Sequence, residues 1–311
     1  MVAFLPMPLS AWGPIGHMTV AYIAYQNLTP ATKTRVRELL RLNPDYANWE
    51  KQIPKGTSAD DHDRMIFLIA STWADDIKGE AQYSDDGING GNTPEGAFSS
   101  QNIGYTDLLR HKYWHFVDMP FSPDQMPLPA IPTPNAQTQI TAFRVVLASS
   151  QADALKSYDL VWLLHLIGDV HQPLHAVTRI TKSHPKGDAG GNLVKLFGDA
   201  ASNLHSYWDE LPGSDCGFCK DKIECVNRAI VLGKGYPSAS SKSRNLDPAV
   251  WIRESFEEAR ERVYREPIGA ADQPYTILPG SSYETQAQKL AKMRVALAGA
   301  RLARVLNDEL K

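Results

Sequence analysis

Residues 165–176 read HLIGDVHQPLHA and place His165, Asp169, His171 and His175 in a segment that is otherwise apolar. The run that leads into it, YDLVWLLHLIGDV (158–170), has the apolar content and length of a buried helix. A helix stacks residues i and i+4, so His165 and Asp169 share one face, one turn apart. That is a metal-ligand pair. Pro173 removes a backbone donor and biases Gln172 away from helical angles, so the helix ends before His175, which then enters from a loop. A single histidine on an apolar stretch is more often a hydrogen-bonded core residue than a ligand. The reading therefore turns on whether the remaining donors of a four-coordinate zinc occur elsewhere.

Downstream, NLHSYWDE (203–210) repeats the device with His205 and Asp209 at i and i+4. Upstream, STWADDIK (71–78) holds Asp75 near a helix end, KYWHFVDMP (112–120) holds His115 among aromatics, and WGPIGH (12–17) puts His17 five residues after Trp12. Each alone is weak, since a helix-end aspartate is usually solvated. Together, imidazoles and carboxylates recurring in apolar settings have the composition of a zinc cluster.

Helical periodicity dominates the rest: 16–28, 29–42 with Thr29 as N-cap and Pro30 at the first helical position, 63–77, 136–155, 248–264 and 285–310. Gly- and Pro-rich stretches at 84–104, 119–135 and 233–247 read as surface loops. GDAGGNLVKLFG (187–198) carries the clearest strand signal, an alternating run from Leu193 to Phe197 that predicts a small β-hairpin. The expected fold is mainly α, a single-domain helical bundle over residues 12–311.

With 311 residues, 43% of them hydrophobic, the chain can bury a large core, and a net charge of -3 argues against a broad basic surface gripping many phosphates. No apolar run reaches the roughly 18–20 residues of a membrane span, and nothing calls for an obligate protein partner. MVAFLPMPLSA (1–11) is apolar and ends in a small residue, as the remnant of an export signal cleaved before Trp12 would, which predicts a secreted or periplasmic chain. Cys216, Cys219 and Cys225 lie within ten residues, which suits one local disulfide with a thiol left over; a zinc knuckle there lacks a fourth ligand. NLT at Asn27 is a glycosylation sequon.

WGxxGH, WAD, HFVD, HLIGDVHQPLH, GGN and LHSYWD occur in this order from Trp12 to Asp209, and in them the chain resembles the S1/P1 nuclease family of three-zinc, single-strand-specific nucleases. Past Leu211 little matches beyond a closing helix. The resemblance implies a phospholipase C/nuclease-like cleft with three Zn2+ ions. One would be held by Asp75, His115, His165 and Asp169, a second by the amine and carbonyl of Trp12 with His17 and a shared Asp169, and a third by His175, His205 and Asp209. An amide nitrogen cannot ligate, so the Trp12 assignment requires cleavage after Ala11. These sets use five of the nine histidines and leave His62, His111, His171 and His184 without a role.

The implied reaction is hydrolysis of single-stranded DNA and RNA between phosphorus and the 3'-oxygen, leaving 5'-phosphates, together with cleavage of 3'-nucleotides. Three dications against three aspartates leave a positive pocket on an acidic protein, and such a centre supplies ionised water near neutral pH, which Asp75 would orient. Lys78 stands where some relatives carry Arg and could neutralise developing phosphate charge, the alternative being an ordinary solvated lysine. Phe116 could stack an unpaired base and Asp118 bond its edge, against plain core packing beside Tyr113 and Trp114. Asn192 looks like a support for the cleft. A zinc phospholipase C is the nearest rival; the short Trp-to-His gap, Asp209 in place of Glu and the GGN segment stand against it. A non-catalytic protein with structural metals is the other.

Overall fold

Thirteen consecutive residues from Ser157 to Asp169 are buried, and the helix that carries them, Asp153–Asp169, is accordingly apolar all round rather than amphipathic. Around it pack the Pro14–Gln26, Pro30–Leu40, Ala136–Leu147 and Ser282–Glu309 helices. The structure, a computed structural model, describes residues 12–198, 201–216, 219–269 and 271–310, those at 214–216 by backbone alone. The leader at 1–11 and the side chain of Cys216 therefore lie outside the described residues.

Local chemistry sets the ends of these helices. Thr29 accepts a hydrogen bond from the Thr32 N–H ahead of Pro30, as a Thr-Pro start requires. Asn135 and Thr138 form a reciprocal capping box at the start of Ala136–Leu147. The single helix expected over 136–155 is instead two. Ser149 Oγ donates to the Val146 carbonyl at 2.7 Å and accepts from the Gln151 N–H at 3.1 Å, so a side chain takes over backbone partners and the ladder breaks. Two further helices, Tyr46–Gln52 and Lys222–Gly235, were not signalled by periodicity; the second starts inside the cysteine cluster, where Asp221 caps it by accepting from the Glu224 N–H. Cys219 and Cys225 form the local disulfide.

The strands are short. The hairpin expected over Leu193–Phe197 is reduced to one isolated antiparallel bridge, Lys195 to Asn203. Its Leu196–Phe197 portion also pairs in parallel with Tyr275–Thr276, a distant partner with no signal in the local pattern. A second parallel pair joins Pro120–Phe121 to Thr178–Arg179 and brings the chain after His115 against the chain after His175. Among the described residues no helix is long and apolar enough to cross a membrane.

Candidate metal centre

The central helix stops at Asp169, and Gln172 takes extended angles (φ -76°, ψ 120°) ahead of Pro173, so His175 arrives on a separate 3-10 turn, Pro173–Ala176. His205 and Asp209 come from the Leu204–Glu210 helix, which Asn203 caps by accepting from the Ser206 N–H. His17 lies on the Pro14–Gln26 helix just after the buried Trp12, Asp75 on the single turn Trp73–Asp76, and His115 on the 3-10 turn Lys112–His115.

These segments converge. Three groups of side chains, His17/His165/Asp169, Asp75/His115/His165 and His175/His205/Asp209, each bring their donor atoms within 4.8 Å of one another and could hold a metal ion. Asp169 touches all three imidazoles of the first two groups: its Oδ1 lies 3.2 Å from His17 Nε2 and 3.4 Å from His165 Nε2, and its Oδ2 lies 2.9 Å from His115 Nδ1. Asp75 Oδ1 lies 3.4 Å from His165 Nε2 and 3.8 Å from His115 Nδ1. The His17 and His165 rings stack 3.8 Å apart, which aligns their donor edges. Gly168 permits this approach, because a Cβ there would stand 2.9 Å from the His17 ring.

Three of the five histidines commit their outer ring nitrogen to a backbone carbonyl. His165 Nδ1 donates to Ser71 at 2.8 Å, His175 Nδ1 to His115 at 2.8 Å and His205 Nδ1 to Gly190 at 2.7 Å. This fixes the tautomer of these three and leaves a lone pair on their Nε2 atoms, as in histidines that ligate metals. The His175 contact also ties the third group to the first two. Sequence reasoning missed these carbonyls, and it missed Gln172, whose Nε2 donates to Asp209 Oδ1 at 2.8 Å.

The donor set fits a cation. His175 Nε2 and His205 Nε2 face each other at 3.1 Å, and with both Nδ1 atoms already donating, two lone pairs confront one another unless a positive charge lies between them. His17 Nε2, His165 Nε2 and Asp169 Oδ1 are buried with no hydrogen-bond partner among the described residues. Such orphaned polar atoms are costly unless something else satisfies them. Burial lowers His17 and His205 to about 4 and holds His115 and His175 well below the usual histidine range, so these rings are neutral and free to ligate. Burial pushes Asp169 up to about 8 and Asp209 well above the usual carboxylate range, which a bound cation would reverse. Asp75 differs: burial works to raise it, but the Lys78 ammonium and the His165 ring hold it well below that range.

A family model described as S1/P1 nuclease matches residues 12–311. The chain belongs to the S1/P1 nuclease family. Nuclease S1 of Aspergillus oryzae (strain ATCC 42149 / RIB 40) is 28% identical over 206 residues, 64% of this chain and 53% of that protein, so the chain spans about half the length of this relative. Endonuclease 5 of Arabidopsis thaliana is 26% identical over 316 aligned positions, 95% of this chain and 89% of the relative, and Endonuclease 2 of the same organism is 25% identical over 202, 65% and 56%. The S1/P1 nuclease match continues through the C-terminal third, where the motifs alone gave out after Leu211.

Around the three groups the other expected residues lie as follows. Lys78 is not a solvated lysine: its Nζ lies 2.7 Å from Asp75 Oδ1 and 3.4 Å from His115 Nδ1. Phe116 is half-buried against the core, and the nearby Asp118 is pushed up to about 7 by burial and the charge of Asp188. Asn192 Nδ2 donates to the Ala189 carbonyl at 2.8 Å, so it braces the loop whose Gly190 carbonyl orients His205. His171, left without a role above, is structural. Its Nδ1 donates to Ile167 and its Nε2 accepts from the Arg301 guanidinium at 2.9 Å. His111 lies between Asp86 and Asp107 with both ring nitrogens taken and is in none of the three groups.

Proposed function

We propose that this chain is a zinc-dependent endonuclease that hydrolyses phosphodiester bonds of single-stranded DNA and RNA to 5'-phosphates and also cleaves 3'-nucleotides. One observation carries the reading: a single buried carboxylate, Asp169, contacts three imidazoles from three different parts of the chain. Structural metal sites have closed shells of four protein ligands, whereas His175/His205/Asp209 and His17/Asp169 with Trp12 leave room for substrate.

In this reading Asp75, His115, His165 and Asp169 hold one zinc, Trp12, His17 and Asp169 a second, and His175, His205 and Asp209 the third. Removal of the leader before Trp12, on an exported chain, frees the amine that the second set needs. Bound zinc supplies a nucleophile at neutral pH and offsets charge on the phosphate. Asp75, kept ionised by Lys78, orients the attacking water through its acceptor oxygens. Lys78, already at the edge of the groups, stabilises the negative charge that builds on phosphate oxygens in the transition state. Phe116 offers a ring face to an unstacked base, and Asp118, near its midpoint at neutral pH, can donate to or accept from the base edge. A paired base has no face to offer. Asn192 supports the loop on the far side.

The test is metal analysis of the Trp12-started protein with parallel assays on single-stranded DNA, RNA, duplex DNA, a 3'-nucleotide and phosphatidylcholine. Three zinc ions and rapid loss of the single strands are expected, and His165→Ala should abolish turnover at normal expression. Retained hydrolysis by that variant, or phospholipid as the preferred substrate, would overturn the proposal.

A further inference from the structure

The turn from Ser71 to Asp76 serves the metal centre twice: the Ser71 carbonyl orients His165, and Asp75 presents its carboxylate to the same ring. Yet the helix that carries Asp75 is only Trp73–Asp76. One α-turn, continued only by the 3-10 turn Ile77–Gly79, gains little from its own hydrogen bonds, since nucleation is unfavourable. Its shape must be imposed from outside.

Two contacts impose it. Trp73 Nε1 donates to Asp45 Oδ2 at 2.8 Å. At the other end, Lys222 Nζ donates to both oxygens of Asp76, at 2.7 and 2.6 Å, and to Thr72 Oγ1 at 2.5 Å. Thr72 in turn accepts through its carbonyl from the N–H groups of Asp75 and Asp76, at 3.1 and 3.0 Å. A single ammonium thus clasps the first and last residues of the segment that holds Asp75.

Lys222 is itself anchored. It is the first residue of the Lys222–Gly235 helix, whose cap is Asp221, and the Cys219–Cys225 disulfide closes the chain on both sides of it. The Lys220 N–H donates to Glu224 Oε2 at 2.7 Å across the same loop. With side chains 28% and 35% exposed, the Lys222–Asp76 pair adds little stability. Its three-point geometry on a fixed root acts instead on position.

We propose that Lys222, presented by the Cys219–Cys225 loop, is a positioning residue for the Asp75 donor of the metal centre. This rests on the reading of Asp75 as a metal ligand given above. Loss of an outer partner of a ligand typically costs about 10- to 100-fold in metal affinity, and here the loss falls on one ion of the three.

The experiment uses the full mature chain and Lys222→Met, Lys222→Arg, Asp76→Asn and Asp75→Asn variants. Zinc affinities are read by competition with a chromophoric chelator, the Co2+-loaded absorption spectrum reports ligand geometry, and thermal unfolding is followed in parallel. Expected for Lys222→Met is one cation weakened by about tenfold or more, an altered Co2+ spectrum, and a melting temperature of the apo-protein within about 2 °C of the parent. Lys222→Arg should restore the affinity, and Asp76→Asn should add little to Lys222→Met, because both break one clasp. Unchanged affinities and spectrum in Lys222→Met would overturn the inference, as would equal weakening of all three ions with a matching loss of melting temperature. If Asp75→Asn also leaves every affinity intact, the ligand reading fails; if it weakens a cation while Lys222→Met does not, only the positioning role fails.

Discussion

At the scale of single residues, the decisive chemistry is which nitrogen of each histidine carries the proton. Carbonyls of Ser71, His115 and Gly190 settle this for His165, His175 and His205. The imidazoles and carboxylates could be read from the sequence because only a few residue types ligate zinc and two pairs sit at helical spacing. Their carbonyl partners could not, since every residue carries one and only the fold selects which is used. Gly190 shows the consequence. Its φ is +59°, and a Cβ there would meet the Leu174 carbonyl oxygen at 2.5 Å and the His205 Nδ1 at 3.3 Å. Gly190→Ala is expected to cost about 1–3 kcal/mol of stability and to loosen the ion held by His175, His205 and Asp209 ahead of the others. Metal stoichiometry against unfolding temperature checks this; a fully loaded variant with parent stability contradicts it.

At the scale of elements, the apolar run of the central helix, its stop before Pro173 and the Thr29 cap were legible because each has a local cause. The break at Ser149 was not, since the same residues are compatible with helix until a serine hydroxyl captures the Val146 carbonyl. Nor were the parallel strand pairs, whose partners lie about 60 and 80 residues apart. One contact between elements carries a pH dependence. Asp159, fully buried on the central helix, accepts from Asn102 Nδ2 at 2.9 Å, and the other Asp159 oxygen and the Asn102 amide oxygen are buried without a partner among the described residues. Burial pushes Asp159 up to about 8 despite the Asn102 bond. A proton on Asp159 makes the two an acid–amide couple in which both remaining oxygens acquire a partner. The folded pKa is thus raised above the unfolded value of about 4. The stabilisation is complete below about pH 4 and is lost as the pH climbs through about 8. Asp159→Asn, which stays neutral, should gain melting temperature over the parent progressively between about pH 4 and about pH 8. Parallel profiles would show that Asp159 is already ionised in the fold.

For the whole molecule, an excess of acidic residues and the proposed polyanionic substrate are compatible because the proposed positive charge sits inside, on ions, rather than on the surface. The same ions should stabilise the fold, since they join parts of the chain from His17 to Asp209 and bind only when these are together. For one site at about a thousand times its Kd, the gain is about 4 kcal/mol. Exhaustive chelation is therefore expected to lower the calorimetric melting temperature by several degrees, with recovery on adding zinc; an unchanged transition would mean that the centre contributes nothing to the folded state.

The two ends of the described chain are fastened to one another. Asn307 Oδ1 accepts from the Thr29 N–H at 2.9 Å, its Nδ2 donates to the Asn27 carbonyl at 2.9 Å, and the Ser282–Glu309 helix lies along Pro14–Gln26. During synthesis, then, the helix bearing His17 keeps an apolar side uncovered until the Ser282–Glu309 helix has been made. His17, one donor of the proposed centre, therefore reaches its final setting only once that distant helix has docked.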